Sequence, residues 1–147
     1  MNKYYNYGRI KAIIANIKES INDLDNALSV YETLEDNNMQ SIVGNSIRMS
    51  FVQVREEIFS AITSILKSSG MSVNSFNNNM DMIQECRRQG YFTNVDDTFF
   101  LVLNKYRNSA CHRYKQPSVE DIKIFYSNKK ESIKNILDDL DNIISDR

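Results

Sequence analysis

Proline and glycine are scarce, at one and four in 147 residues. Sheet proteins need many tight turns, so an all-β sandwich or barrel is disfavoured. Doubly wound α/β folds need glycine-rich loops at strand ends, and neither GxGxxG nor GxxxxGK[ST] occurs. There is a single histidine, His112, and two cysteines, Cys86 and Cys111, without CxxC spacing. That set does not make a His/Cys zinc site, so no metal and no cofactor is expected. It fits a reduced, cytoplasmic setting. The first residues, Met1-Asn2-Lys3-Tyr4-Tyr5, lack the apolar core of a signal peptide. No run approaches the ~18 apolar residues of a membrane span, so no membrane partner is expected. A net charge of −1 and a pI of about 5.8 argue against coating nucleic acid by bulk electrostatics.

What remains is 41% hydrophobic and 25% charged residues, the balance of a folded domain. The expected class is all-α, as one domain over residues 1–147. A first helix is expected over about Arg9–Glu35, with Ile10, Ile13 or Ile14, Ile17, Ile21, Leu24, Leu28 and Tyr31 at 3–4 spacing. Asp36-Asn37-Asn38 reads as a turn. A second helix follows over about Met39–Ser69, striped by Ile47, Phe51, Val54, Ile58, Ile62 and Ile65 and stopped by Gly70. The Asn-rich stretch Met71–Asn79 reads as a loop before a short helix, Met80–Gln89, capped by Asn78 or Asn79 and stopped at Gly90. Phe92–Asn94 reads as another turn, with Asn94 capping a helix from about Val95 to Tyr114. Ser118 caps a final helix, interrupted by the polar stretch Ser127–Glu131. The sum is a four- to five-helix up-and-down bundle.

The segment Lys105–Lys115 carries the chemistry. From Thr98 to Val119 there is no Asp or Glu, while Lys105, Arg107, Arg113 and Lys115 give the window +4 and leave the rest of the chain at −5. A local cationic site on an acidic protein suits a phosphate-bearing ligand. A solvated basic face at a helix C-terminus carries the same charges. At ~100° per residue, Arg107, Cys111 and Tyr114 share one helical stripe, and Asn108, His112 and Lys115 share its neighbour. His titrates near neutrality and can move the proton of a 2′-hydroxyl or a leaving oxygen. Arg can clamp the phosphate as charge develops. A symmetric dimer would supply the second acid–base group. Cys111 beside His112 points about 100° away from it, a poor nucleophile–base geometry, and reads as a buried or half-buried structural thiol. Glu56-Glu57, Asp96-Asp97 and Asp138-Asp139 read as helix-surface or first-turn charges. Arg87-Arg88 reads either as an exposed face or as an extension of the basic patch.

Arg107-x4-His112-x-Tyr114, with Asn108 directly after the Arg, resembles the R-x4-H-x-Y motif of HEPN domains. The stretch Ile47–Leu66 is similar to the second helix of HEPN proteins that serve as substrate-binding subunits of nucleotidyltransferases, with Phe51 and Glu56 in register. Met82–Phe92 resembles their short helix before the motif. The similarity spans about Ile17–Ile144. It implies a HEPN-like bundle that forms a homodimer with the motif at the dimer cleft. It further implies a metal-independent endoribonuclease toxin acting on RNA, tRNA or mRNA, and neutralised by a minimal nucleotidyltransferase (MNT) antitoxin of the HepT-type module. On this resemblance Arg107 and His112 are catalytic and Asn108 supports them. Tyr114 is AMP-modified or contacts substrate, and Lys105, Arg113 and Lys115 contact RNA phosphates. The alternative is a non-catalytic nucleotide- or substrate-binding subunit. Two departures stand out. Arg55 and Ser60 replace an aromatic and a Lys common in the family, and the Asn-rich stretch Ser72–Asn79 is longer.

Overall fold

The structure, a computed structural model, describes residues 3–110 and 116–146, the side chains of Ser109 and Ala110 excepted. Among these residues all regular structure is helical: α1 (Tyr7–Thr33), α2 (Asn37–Ser68), α3 (Asn79–Arg88), α4 (Asp97–Ala110), α5 (Val119–Asn128) and α6 (Lys130–Ser145), with a single 3₁₀ turn at Val73–Ser75. The count is six rather than four or five because the last helix breaks in two. At Lys129 the backbone leaves helical geometry (φ −118°, ψ 16°), inside the polar stretch where the apolar stripe is interrupted.

Side chains from the preceding loops start the helices. Asn6, Asp36, Asn78 and Ser118 each accept a hydrogen bond from the backbone N–H three residues on. Asp36 is thus a cap rather than the start of a turn, and Asn37 and Asn38 belong to α2. At α4 the cap is Asp96, whose Oδ1 accepts from the Phe99 N–H at 2.9 Å, and not Asn94. Val95 decides this, since it is buried and its N–H closes a turn onto the Phe92 carbonyl. Gly70 and Gly90 end α2 and α3 with φ of 75° and 95°. Beyond each, the chain folds back: the Met71 N–H reaches the Leu66 carbonyl, and the Tyr91 N–H reaches the Cys86 carbonyl.

The helices α1 and α2 form a long antiparallel hairpin. The link between them is short, and at the far end the Tyr4 N–H donates to the Ser68 carbonyl at 3.0 Å. The expected stripe of α2 is buried throughout, from Ile47 to Ile65, and packs against Ile10, Ile13, Ile17, Leu24 and Leu28 of α1. α3, α4 and α5 close over α2, and α6 lies against α1. α5 comes close to α2 at Gly44, where an added Cβ would stand 3.3 Å from Val119.

A chain of aromatic rings positions α4. Phe51 of α2, Tyr106 of α4 and Phe125 of α5 form a triangle with centroids 5.7–5.9 Å apart. Phe99 stacks on Phe125, and Phe100 joins Phe99 to Phe92. Such contacts add to the area each ring buries. Phe92 opens the expected turn, yet it is fully buried and sits in the left-handed region at φ 61°. Its N–H donates to Asp139 Oδ2 at 2.7 Å, so Asp139 is a loop anchor rather than a mere surface charge.

Candidate functional site

The motif begins on the last described turns of α4. Lys105, Arg107 and Asn108 are all exposed there, and Arg107, one turn on from buried Leu103, sits at the edge that meets α2. His112, Arg113, Tyr114, Lys115 and Cys111 lie outside the described residues. The structure therefore places three of the expected site residues, Arg107, Asn108 and Lys105, at exposed positions of α4.

What lies beside Arg107 comes from α2. Arg107 Nε–H donates to Glu56 Oε1 at 3.2 Å, and one of its terminal N–H groups reaches Asn108 Oδ1 at 3.5 Å. Glu56 Oε1 also accepts from Arg55 Nη1 at 3.1 Å. Arg55 itself reaches across to α4, donating from Nε and Nη2 to Asn104 Oδ1 at 3.0 and 2.7 Å. Its guanidinium carbon lies 4.1 Å from the centroid of the Phe59 ring. The cluster is graded in exposure: the Arg55 side chain is 14% exposed, Glu56 43% and Arg107 44%. Burial pulls the Arg55 guanidinium below its ordinary value. Glu56 works against that shift, and the neighbouring positive charge of Arg107 works with it.

Arg55 and Asn104 were not singled out for this site from the sequence, except that Arg55 departs from the family pattern. The available signal was its position. Arg55 lies four residues from both Phe51 and Phe59, so an Arg there leans its stem along an apolar stripe and its head toward a neighbour. Asn104 lies between buried Leu103 and half-buried Tyr106 on α4, at the helix–helix seam.

Other charges sort differently from the sequence reading. Glu57 is buried, not on the surface: its Oε1 accepts from Asn16 at 3.3 Å and Gln53 at 3.1 Å, while Oε2 has no partner among the described residues. Arg87 does not extend the basic patch. It pairs with Asp97, donates to the Val95 carbonyl at 2.8 Å and lies over Phe100, tying α3 to the start of α4. Arg88 pairs with Glu85 on its own helix at 2.9 Å. The Cys86 thiol is buried, and desolvation pushes it up to about 12, which leaves it protonated and inert near neutrality.

The two ends of the cluster do different chemistry. Arg55 is a fixed internal cation. Arg107 is a planar guanidinium at the surface, able to bind an anion such as phosphate through two parallel N–H bonds. Among the described residues no helix is long and apolar enough to cross a membrane. No protein-family model, curated protein or solved structure matches this chain.

Proposed function

We propose that the chain is a HEPN-type endoribonuclease that works as a homodimer, cleaves RNA without a metal ion and is restrained by a nucleotidyltransferase partner. The observation that carries this reading is a meeting of residues far apart in sequence. Phe51 and Glu56, the two α2 residues in register with the family, lie against the start of the α4 motif. The Phe51 ring meets the Tyr106 ring at a tilt, centroids 5.7 Å apart, and Glu56 binds the next residue, Arg107, at 3.2 Å. A chance R-x4-H-x-Y match gives no reason for those two α2 residues to contact the motif helix at that point.

In this reading Arg107 clamps the scissile phosphate and stabilises the charge that builds on it. His112 accepts the proton of the 2′-hydroxyl, whose oxygen attacks phosphorus as the bond to the 5′-oxygen breaks. The 5′-oxygen leaves with a proton from a second acid, the His112 of a second copy across the dimer cleft. The products are a 2′,3′-cyclic phosphate and a free 5′-hydroxyl, so the atoms and charges balance without water or metal. Asn108 supports the Arg107 guanidinium, and Lys105, Arg113 and Lys115 hold flanking phosphates. AMP added to Tyr114 by the partner enzyme brings bulk and negative charge to the motif, which opposes RNA binding.

The test is cleavage of a tRNA pool by purified protein in excess EDTA, with Arg107→Ala and His112→Ala prepared in the same way. Cleavage by wild type that both substitutions abolish is the expected result. A folded, unmodified wild-type dimer that leaves every RNA intact refutes the nuclease. That result favours a binding subunit that receives a nucleotide or the partner's active site.

A further inference from the structure

One carboxylate oxygen, Glu56 Oε1, serves two guanidinium groups, and the two are not equivalent. Arg55 is held without it, by paired donation to Asn104 and by the Phe59 ring. The contact between Glu56 and Arg107 lies at the surface, each side chain being more than two-fifths exposed. Surface ion pairs are weak, and a phosphate competes well for a guanidinium when it accepts two parallel N–H bonds. A carboxylate displaced from Arg107 keeps its bond to Arg55, so displacement leaves no charge unpaired.

We propose that Glu56 is a built-in stand-in for phosphate: it holds Arg107 until a phosphate group binds, and is then displaced onto Arg55. This rests on the reading of Arg107 as the phosphate clamp. It assigns Arg55, the residue that departs from the family pattern, the role of receiving the displaced carboxylate. It also fixes an unusual sign. Removing a residue that supports binding weakens binding. Removing a competitor strengthens it.

The experiment measures binding of a 2′-O-methyl RNA oligonucleotide, which cannot be cleaved through its 2′-oxygen, and of AMP, to wild type, Glu56→Gln, Arg107→Ala and a charge-matched control, Asp138→Asn on α6. Glu56→Gln is expected to bind tighter by about two- to fivefold, the range set by the loss of one exposed ion pair. Asp138→Asn is expected to leave binding unchanged, and Arg107→Ala to weaken it. Glu56→Ala, which removes the acceptor as well as the charge, should show the same gain. The two probes separate the sources of the phosphate: a gain for both marks recognition of the group itself, and a gain for the oligonucleotide alone marks the RNA backbone.

Nitrogen-15 spectra of the arginine Nε–H groups supply a readout independent of affinity. Phosphate should shift the Arg107 signal in wild type and leave Arg55 bonded. If Arg107→Ala binds like wild type, the clamp and the stand-in both fall. If Arg107→Ala weakens binding but neither Glu56 variant strengthens it, or Asp138→Asn gives an equal gain, the stand-in alone falls.

Discussion

The tie between Arg55 and Asn104 holds the candidate site together, and a double-mutant cycle measures it. Arg55 donates two N–H groups to one oxygen of Asn104, at 3.0 and 2.7 Å, from a side chain only 14% exposed. A hydrogen bond to a charged group contributes about 1.5–3 kcal/mol. Because both donors share one acceptor, the pair counts as little more than one such bond, and the coupling is expected near 1.5 kcal/mol. Arg55→Ala alone should cost about 2–3 kcal/mol, since it also removes the stacking on Phe59, about 0.5–1 kcal/mol, and the exposed pair with Glu56, a few tenths. Asn104→Ala should cost about 2 kcal/mol, because it strands two half-buried donors. The assay is urea unfolding of wild type, both singles and the double variant, all at one fixed protein concentration. A double variant less stable than wild type by the plain sum of the singles, within ~0.3 kcal/mol, would refute the idea that this contact ties α2 to α4.

Two further predictions concern the scaffold under α4. Phe92→Ala should destabilise by about 3–5 kcal/mol in the same unfolding assay, since it empties a fully buried ring site while keeping the left-handed backbone; a loss under 1 kcal/mol would show that the ring does not anchor the α3–α4 loop. Asp96→Ala should cost about 0.5–1 kcal/mol near neutrality through loss of the α4 cap. The Asp96 carboxyl is held below its ordinary value, first by the Phe99 N–H and then by Lys129. Its contribution is therefore full above the unfolded-state value of about 4 and fades as pH falls through the lower folded-state value. The gap between wild type and Asp96→Ala should narrow below pH 4, and a gap that widens on acidification would contradict the capping role.

Much of the scaffold was legible because apolar spacing in long helices reports burial directly. Ile47, Phe51, Val54, Ile58, Ile62 and Ile65 were grouped by period alone and all are buried. The two glycine stops were legible because only a left-handed residue ends those helices without strain. Glu57 was not legible. Next to Glu56 it looks like half of a surface pair, and only the approach of Asn16 from α1, 41 residues away, shows it turned inward. The choice of Asp96 over Asn94 was equally hidden, since both are good caps and the burial of Val95 decides between them. The motif could be read as a string, but its neighbours could not. Glu56 and Arg107 are 51 residues apart, and Arg55 and Asn104 are 49 apart, so their meeting is a product of how α2 packs on α4.

The central claim is that this surface cuts RNA through the 2′-hydroxyl. The most direct measurement compares two versions of one cleaved oligonucleotide in EDTA, one all-ribose and one carrying a single 2′-deoxy sugar at the cut position, with product ends read by mass spectrometry. The account predicts cleavage of the ribose version to a 2′,3′-cyclic phosphate and a 5′-hydroxyl, and an intact 2′-deoxy version. Cleavage of both, or a 5′-phosphate product, would contradict it.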